Sequence, residues 1–143
     1  MNFKSDKGIA GIDITVSIII ITVFVSIITA LFYTINLTAQ DIERKREATS
    51  IAIKTIENLK TINFEDLEEA VENGGFPRYY TDETNKTLPY YEEVIIADYA
   101  DLPENQGLDK INGLVKKVTV KVSYKVGKDE KNIEISIIRK KGE

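Results

Sequence analysis

The chain has 143 residues, a net charge of −4, and neither cysteine nor histidine. The first absence rules out a disulfide framework and thiolate metal sites; the second rules out Ser-His-Asp, Cys-His and HExxH chemistry. Charge is segregated, with thirteen acidic and two basic residues (Arg78, Lys86) between Phe64 and Asp109, against nine basic and four acidic between Leu114 and Glu143. Such blocks either steer partners or form solvated faces.

The first element is the uncharged run Ile14–Ala39, preceded by a lone Asp13 and by a leader ending Lys7-Gly8. The run exceeds the ~20 residues a helix needs to cross a bilayer. It is also longer than the ~7–15-residue apolar core of a cleaved secretory signal, and a charged helix follows it. Its Ser and Thr hydroxyls are predicted to bond back to the preceding turn. Asp13 is an isolated carboxylate at the N-terminal end of the span, an expensive place for a charge. Taken without its context it is a carboxylate snorkelling to the membrane interface. Lys4 and Lys7 precede the span while Arg44, Lys45 and Arg46 follow it, so charge alone does not set the orientation.

No proline or glycine interrupts Ile12–Ile62, and one helix is expected across that range. Beyond the membrane its apolar stripe is read as Ile42, Thr49, Ala52, Ile53, Ile56 and Leu59. Asp41 and Lys45 form a favourable pair four residues apart. The expected division is leader 1–8, membrane half 9–39, amphipathic half 40–62 and a head at 63–143, where about one hundred residues past the span allow one modest core.

In the head, Asn63 is the expected N-cap of a short second helix, with Phe64, Leu67 and Val71 on one face and Gly74-Gly75 and Pro77 ending it. Tyr79-Tyr80 and Tyr90-Tyr91 are read as core and strand-edge packing; the alternative is a binding platform for sugars or single-stranded nucleic acid, the latter opposed by the scarcity of cations nearby. Glu92–Asp98 reads as a short strand. Asp98, Asp101, Glu104 and Asp109, interrupted by Pro103 and Gly107, are read as a solvated acidic loop, with loop calcium binding as the alternative; the spacing is not that of an EF-hand. Val118, Val120, Val122, Tyr124 and Val126 alternate with polar residues, the pattern of a strand with one buried face. A turn at Gly127–Asn132 and a return strand carrying Ile133, Ile135 and Ile137 complete a hairpin expected to pack on the long helix.

The start of the chain resembles the leader segment of type IV pilins and pseudopilins, in which a short basic leader ends in glycine and an acidic residue stands fifth in the mature chain before an apolar helix. Ala48–Lys60 followed by Asn63–Leu67 looks like the end of the long helix and the next turn in minor pilins and pseudopilins. Val118–Tyr124 with its partner strand is similar to their closing hairpin. The chain has Ile9 and Asp13 where the family usually has Phe and Glu, and Ala10-Gly11 replace a hydroxyl and an aliphatic residue.

The resemblance implies cleavage by a prepilin peptidase between Gly8 and Ile9, methylation of the Ile9 amine, and an assembly charge pair between that amine and Asp13 of a neighbouring subunit. In hydrocarbon each charge alone costs several kcal/mol, so pairing is favoured. It implies an α+β, pilin-like fold whose long helix packs by its second half on a small antiparallel sheet. The implied function is that of a structural subunit, a minor pilin or pseudopilin of a type IV pilus, type II secretion or competence-type filament, and not an enzyme; no cofactor or metal is expected. Its expected partners are the peptidase, other pilin or pseudopilin subunits and a membrane assembly platform. Its expected place is the cytoplasmic membrane, single-pass with the head outside the cytoplasm, then a cell-surface or periplasmic filament. The alternative is a membrane-anchored protein with an external binding head, and Lys117, Lys121, Lys125 and Lys128 are its candidate DNA contacts. The same lysines also suit contact with the acidic region of another subunit, or protection of an exposed strand from aggregation.

Overall fold

A computed structural model describes residues 4–81, 87–102 and 113–142, with side chains from Gly11 onward. The elements are α1 (Lys4–Lys60), α2 (Leu67–Asn73), β1 (Arg78–Thr81), β2 (Thr87–Asp98), a 3-10 turn (Tyr99–Asp101), β3 (Val115–Val126) and β4 (Asp129–Lys140). The fold is α+β: one long N-terminal helix and, among the described residues, an antiparallel four-stranded sheet in the order β1-β2-β3-β4. The chain separates into two units, Met1–Gln40 and Asp41–Glu143.

In the first unit α1 begins at Lys4, earlier than the expected Ile12. Glycine lowers helicity by about 1 kcal/mol relative to alanine, yet it does not remove a hydrogen bond as proline does, so the helix continues through Gly8 and Gly11. This is the one helix among the described residues long and apolar enough to cross a membrane, with a mean hydropathy of 2.7 over its most apolar stretch. Its large side chains, among them Ile14, Phe24, Val25, Phe32 and Ile35, are exposed. The Ser and Thr hydroxyls of this stretch are bonded within the helix. Thr15, Ser17, Thr22, Ser26, Thr29, Thr34 and Thr38 each donate to the carbonyl four residues earlier, at 2.7–3.0 Å.

In the second unit, residues of α1 after Gln40 pack on the inner face of the sheet. Ala48, Ala52, Ile56 and Leu59 enter a common core with Phe64, Leu67, Tyr90, Val118, Val120, Val122, Tyr124 and Val126. The buried stripe differs from the expected one, for Ile42 and Ile53 are exposed while Ala48 and Thr55 are buried. The periodicity fits either choice. Small side chains at 48, 52 and 55 let the helix backbone approach a sheet whose valines already fill the space, and the larger Ile42 and Ile53 fall outside the contact.

Strand β3 is the centre of the core. Val118, Val120 and Val122 are fully buried, and each such side chain contributes about 1.5–3 kcal/mol. Its pairing with β4 is unbroken from Val115↔Lys140 to Val126↔Asp129. The connecting turn is therefore only Gly127-Lys128, shorter than the Gly127–Asn132 expected, and Gly127 takes φ 61° as a two-residue hairpin loop requires. Strand β2 starts at Thr87, five residues before the expected Glu92.

Helix α2 starts later than expected. Its N-cap is Asp66 rather than Asn63. Asn63 instead opens a turn, accepting from the Asp66 amide at 3.1 Å and donating its side-chain amide to the Asp66 carboxylate. Phe64 and Leu67 are buried and Val71 packs against the core, as their spacing requires. At Gly74 a Cβ would lie 2.8 Å from both the Ala70 carbonyl and the Phe76 ring, so only glycine fits there.

Candidate functional site

The residues singled out by sequence fall in both units. In the first, Gly8 and Ile9 lie in the helical segment that starts at Lys4, and their surroundings fall outside the described residues. Asp13 is exposed, with the Ser17 hydroxyl donating to its backbone carbonyl at 2.7 Å. It is the one charged residue between Gly11 and Gln40 and has no ion-pair partner among the described residues.

In the second unit Lys117, Lys121 and Lys125 follow one another at four-residue spacing, every second outward position of β3, and Lys128 sits in the exposed turn. The sheet brings carboxylates to the same face. Lys121 lies between Glu93 of β2 and Glu134 of β4 in register, and its Nζ is 4.0 Å from Glu134 Oε1. Lys125 stands opposite Glu130. The segregation of charge along the chain is thus partly undone by strand pairing. This interleaving gives Lys121 and Lys125 carboxylates across the strand, whereas Lys117 stands in register with Ala97 and Ile138.

Among the described residues no group of three or more Asp or Glu side chains is placed to hold a metal. Asp98 is occupied with backbone donors, accepting from the Ala100 amide at 3.0 Å and the Gly113 amide at 2.6 Å. Glu104 and Asp109, with Pro103 and Gly107, lie outside the described residues.

Polar contacts connect the sheet to α1, and in them Asp41, expected to pair with Lys45 along the helix, takes Lys131 of β4 as its ion-pair partner. Lys131 donates to Asp41 at 2.6 Å, and Tyr124 Oη approaches the other Asp41 oxygen at 3.4 Å. The hydrogen bond from Lys131 holds the Asp41 carboxyl below the usual carboxylate range, and the same bond raises Lys131. Tyr90 donates its hydroxyl to Glu47; burial, then this bond, pushes its pKa well up. Burial, followed by the Asp41 charge, also raises Tyr124.

At the other sheet edge Glu92 is fully buried. Its Oε2 accepts from Arg78 Nε at 2.8 Å and from Tyr80 Oη at 2.6 Å. Its Oε1 is buried and finds no donor among the described residues. Burial alone would lower Arg78, but Glu92 more than offsets it and the guanidinium pKa rises. Burial and the Glu92 carboxylate raise Tyr80. Parity was the available signal: Glu92 stands between Tyr90 and Val94 on the inward side of β2, where a carboxylate needs a partner.

Helix α2 is tied down from β3 by Lys116, whose Nζ is 2.9 Å from Glu68 and 4.9 Å from the centre of the Phe64 ring. Comparison with protein-family models, with curated proteins and with solved structures gives no match.

Proposed function

We propose that the chain is a structural subunit of a type IV pilin-like filament, a minor pilin or pseudopilin. The observation that carries this reading is the N-terminal arrangement: Gly8 after a short basic leader, one acidic residue at Asp13, then a charge-free apolar helix. Removal of the leader after Gly8 frees an α-amine at Ile9, four residues from Asp13. Within hydrocarbon that amine and the Asp13 carboxylate of a neighbouring copy each remove the other's desolvation penalty, and the pairing sets the register between copies. The exposed apolar surface of the span supports the reading, since it gives neighbouring copies something to pack on. The head contributes a sheet-covered helix end whose core is independent of the span.

In this reading the subunit is made as a single-pass membrane precursor with its head outside the cytoplasm, is cut and methylated by the peptidase, and carries no catalysis of its own. Its partners are like subunits and a membrane assembly platform. N-terminal mass spectrometry of the membrane-purified protein tests it. A mature chain beginning at methylated Ile9 is the expected result, and an intact Met1 or a cut elsewhere overturns the assignment.

A further inference from the structure

One row of side chains crosses the outer face of the sheet from edge to edge. Register sets Tyr79 against Tyr91, Tyr91 against Ser123, and Ser123 against Asn132. Strand alternation puts this row on the side away from Tyr90, Glu92, Val122 and Tyr124, which are buried. Tyr79 is 69 % exposed, and its ring stands 4.8 Å from that of Tyr91, tilted by 47°. The two rings contribute nothing to the buried core, so they form an aromatic platform at the sheet surface. A depression of about 370 Å³ adjoins it, bounded on this face by Tyr91, Ser123, Lys125 and Glu130.

The charges around the platform select among ligands. Lys125 faces Glu130, and in the next row Lys121 stands between Glu93 and Glu134. Each cation here has a carboxylate across the strand, so a polyanion meets as much repulsion as attraction. A wholly apolar partner would leave the serine, amide and charged groups desolvated without hydrogen bonds. A neutral polyhydroxylated chain satisfies both requirements. The apolar faces of its rings cover the tyrosines, while its hydroxyls donate to Glu130 and the Asn132 carbonyl and accept from Lys125 and Ser123. Four strands at about 4.8 Å make the row about 14 Å long, enough for a short stretch of chain rather than a single ring.

We propose that the outer face of the sheet binds a neutral polysaccharide along the Tyr79–Asn132 row. The proposal does not rest on N-terminal processing, so its failure and that of the filament reading are separable.

The test is calorimetric titration of the full chain, held in a detergent without a sugar headgroup, with hexasaccharides of glucose and of N-acetylglucosamine and with a thymidine oligonucleotide. Saturable binding of a neutral hexasaccharide, unchanged between low and high salt, is expected. Tyr79→Ala and Asn132→Ala should each weaken it, the former by about tenfold or more. Tyr79→Phe, which keeps the ring, should bind within about twofold of the parent. The proposal is overturned if no hexasaccharide saturates the protein. Salt-sensitive binding of the oligonucleotide alone overturns it in favour of a polyanion site. Unchanged binding by Tyr79→Ala, with an unaltered circular dichroism spectrum, removes the platform from any binding observed.

Discussion

Nη1 of Arg139, near the end of β4, donates to the carbonyl of Leu59, in the last turn of α1, at 2.9 Å. The same guanidinium reaches the carbonyls of Lys60 and Ile62 at 3.1 Å each. A helix leaves its last four carbonyls without intrahelical partners, and its C-terminus carries partial negative charge. One buried arginine, supplied from eighty residues away, answers both demands.

Arg139→Met should therefore destabilise the sheet unit by about 2–3 kcal/mol, since it strands buried acceptors that had a charged donor. Arg139→Lys should recover less than half of that loss, because a single ammonium cannot span three carbonyls as the planar fork does. Thermal unfolding of the detergent-solubilised protein, followed by the near-ultraviolet signal of its tyrosines, measures both. Full recovery by lysine would show that charge alone matters at this position.

The Glu92 site gives a prediction about order. Arg78→Ala leaves a fully buried carboxylate with Tyr80 as its one remaining donor among the described residues, whereas Glu92→Gln keeps an acceptor for Tyr80 and removes the buried charge. Breaking a fully buried pair costs about 3–5 kcal/mol, and because the Arg78 side chain is 41 % exposed, water entering its place should reduce this to about 2–4 kcal/mol. Glu92→Gln should cost clearly less, about 1–2 kcal/mol. Chemical unfolding of the two variants decides, and an inverted order would place the main role of the pair with the arginine's own packing on Phe76, 4.4 Å from its guanidinium carbon.

Stability should depend on pH in a dome. Folded Asp41 titrates below its unfolded value of about 3.9, so its contribution is present above that value and lost as pH falls through the folded pKa. Folded Lys131 titrates above its unfolded value of about 10.4, so its contribution is full below that and fades as pH rises through the folded pKa. Tyr90 is raised as well, and its contribution is full below about pH 10 and declines above it, where the unfolded phenol ionises first. A Tm series across pH should show Lys131→Met flattening both limbs and Tyr90→Phe flattening only the alkaline one. An unchanged acid limb in Lys131→Met would mean that other carboxylates govern acid unfolding.

If the chain is the filament subunit proposed above, Asp13→Ala should leave membrane insertion intact while reducing assembly into filaments. Asp13→Glu should assemble at least as well as the parent, because the added methylene extends the carboxylate's reach. Fractionation of membranes and sheared filaments reads both outcomes. Normal assembly of the alanine variant would show that the charge is dispensable.

The sheet's inner face was legible because Val118 through Val126 alternate strictly, and strand periodicity has no competing interpretation there. The long helix was legible for lack of any breaker. Its buried stripe was misassigned because hydrophobicity points to Ile42 and Ile53, whereas close packing on a valine-rich sheet selects Ala48 and Thr55. Arg139 and Glu92 both sit at inward parity, after Ile133-Ile135-Ile137 and between Tyr90 and Val94. A charge on the core side of a strand signals a buried partner, but its identity, a helix end in one case and Arg78 in the other, comes only from tertiary pairing. The Asp41–Lys131 contact joins residues ninety positions apart and leaves no local trace.

The internally bonded hydroxyls of the span have a thermodynamic implication. Each Ser and Thr between Gly11 and Gln40 already donates to a carbonyl of its own helix. These seven hydroxyls therefore demand no donor exchange when the helix passes from one apolar environment to another, and their share of the barrier to moving it contains no hydrogen-bond rupture. Such a helix is portable between apolar solvents, with Asp13 as the one group along that stretch whose charge registers where it has arrived.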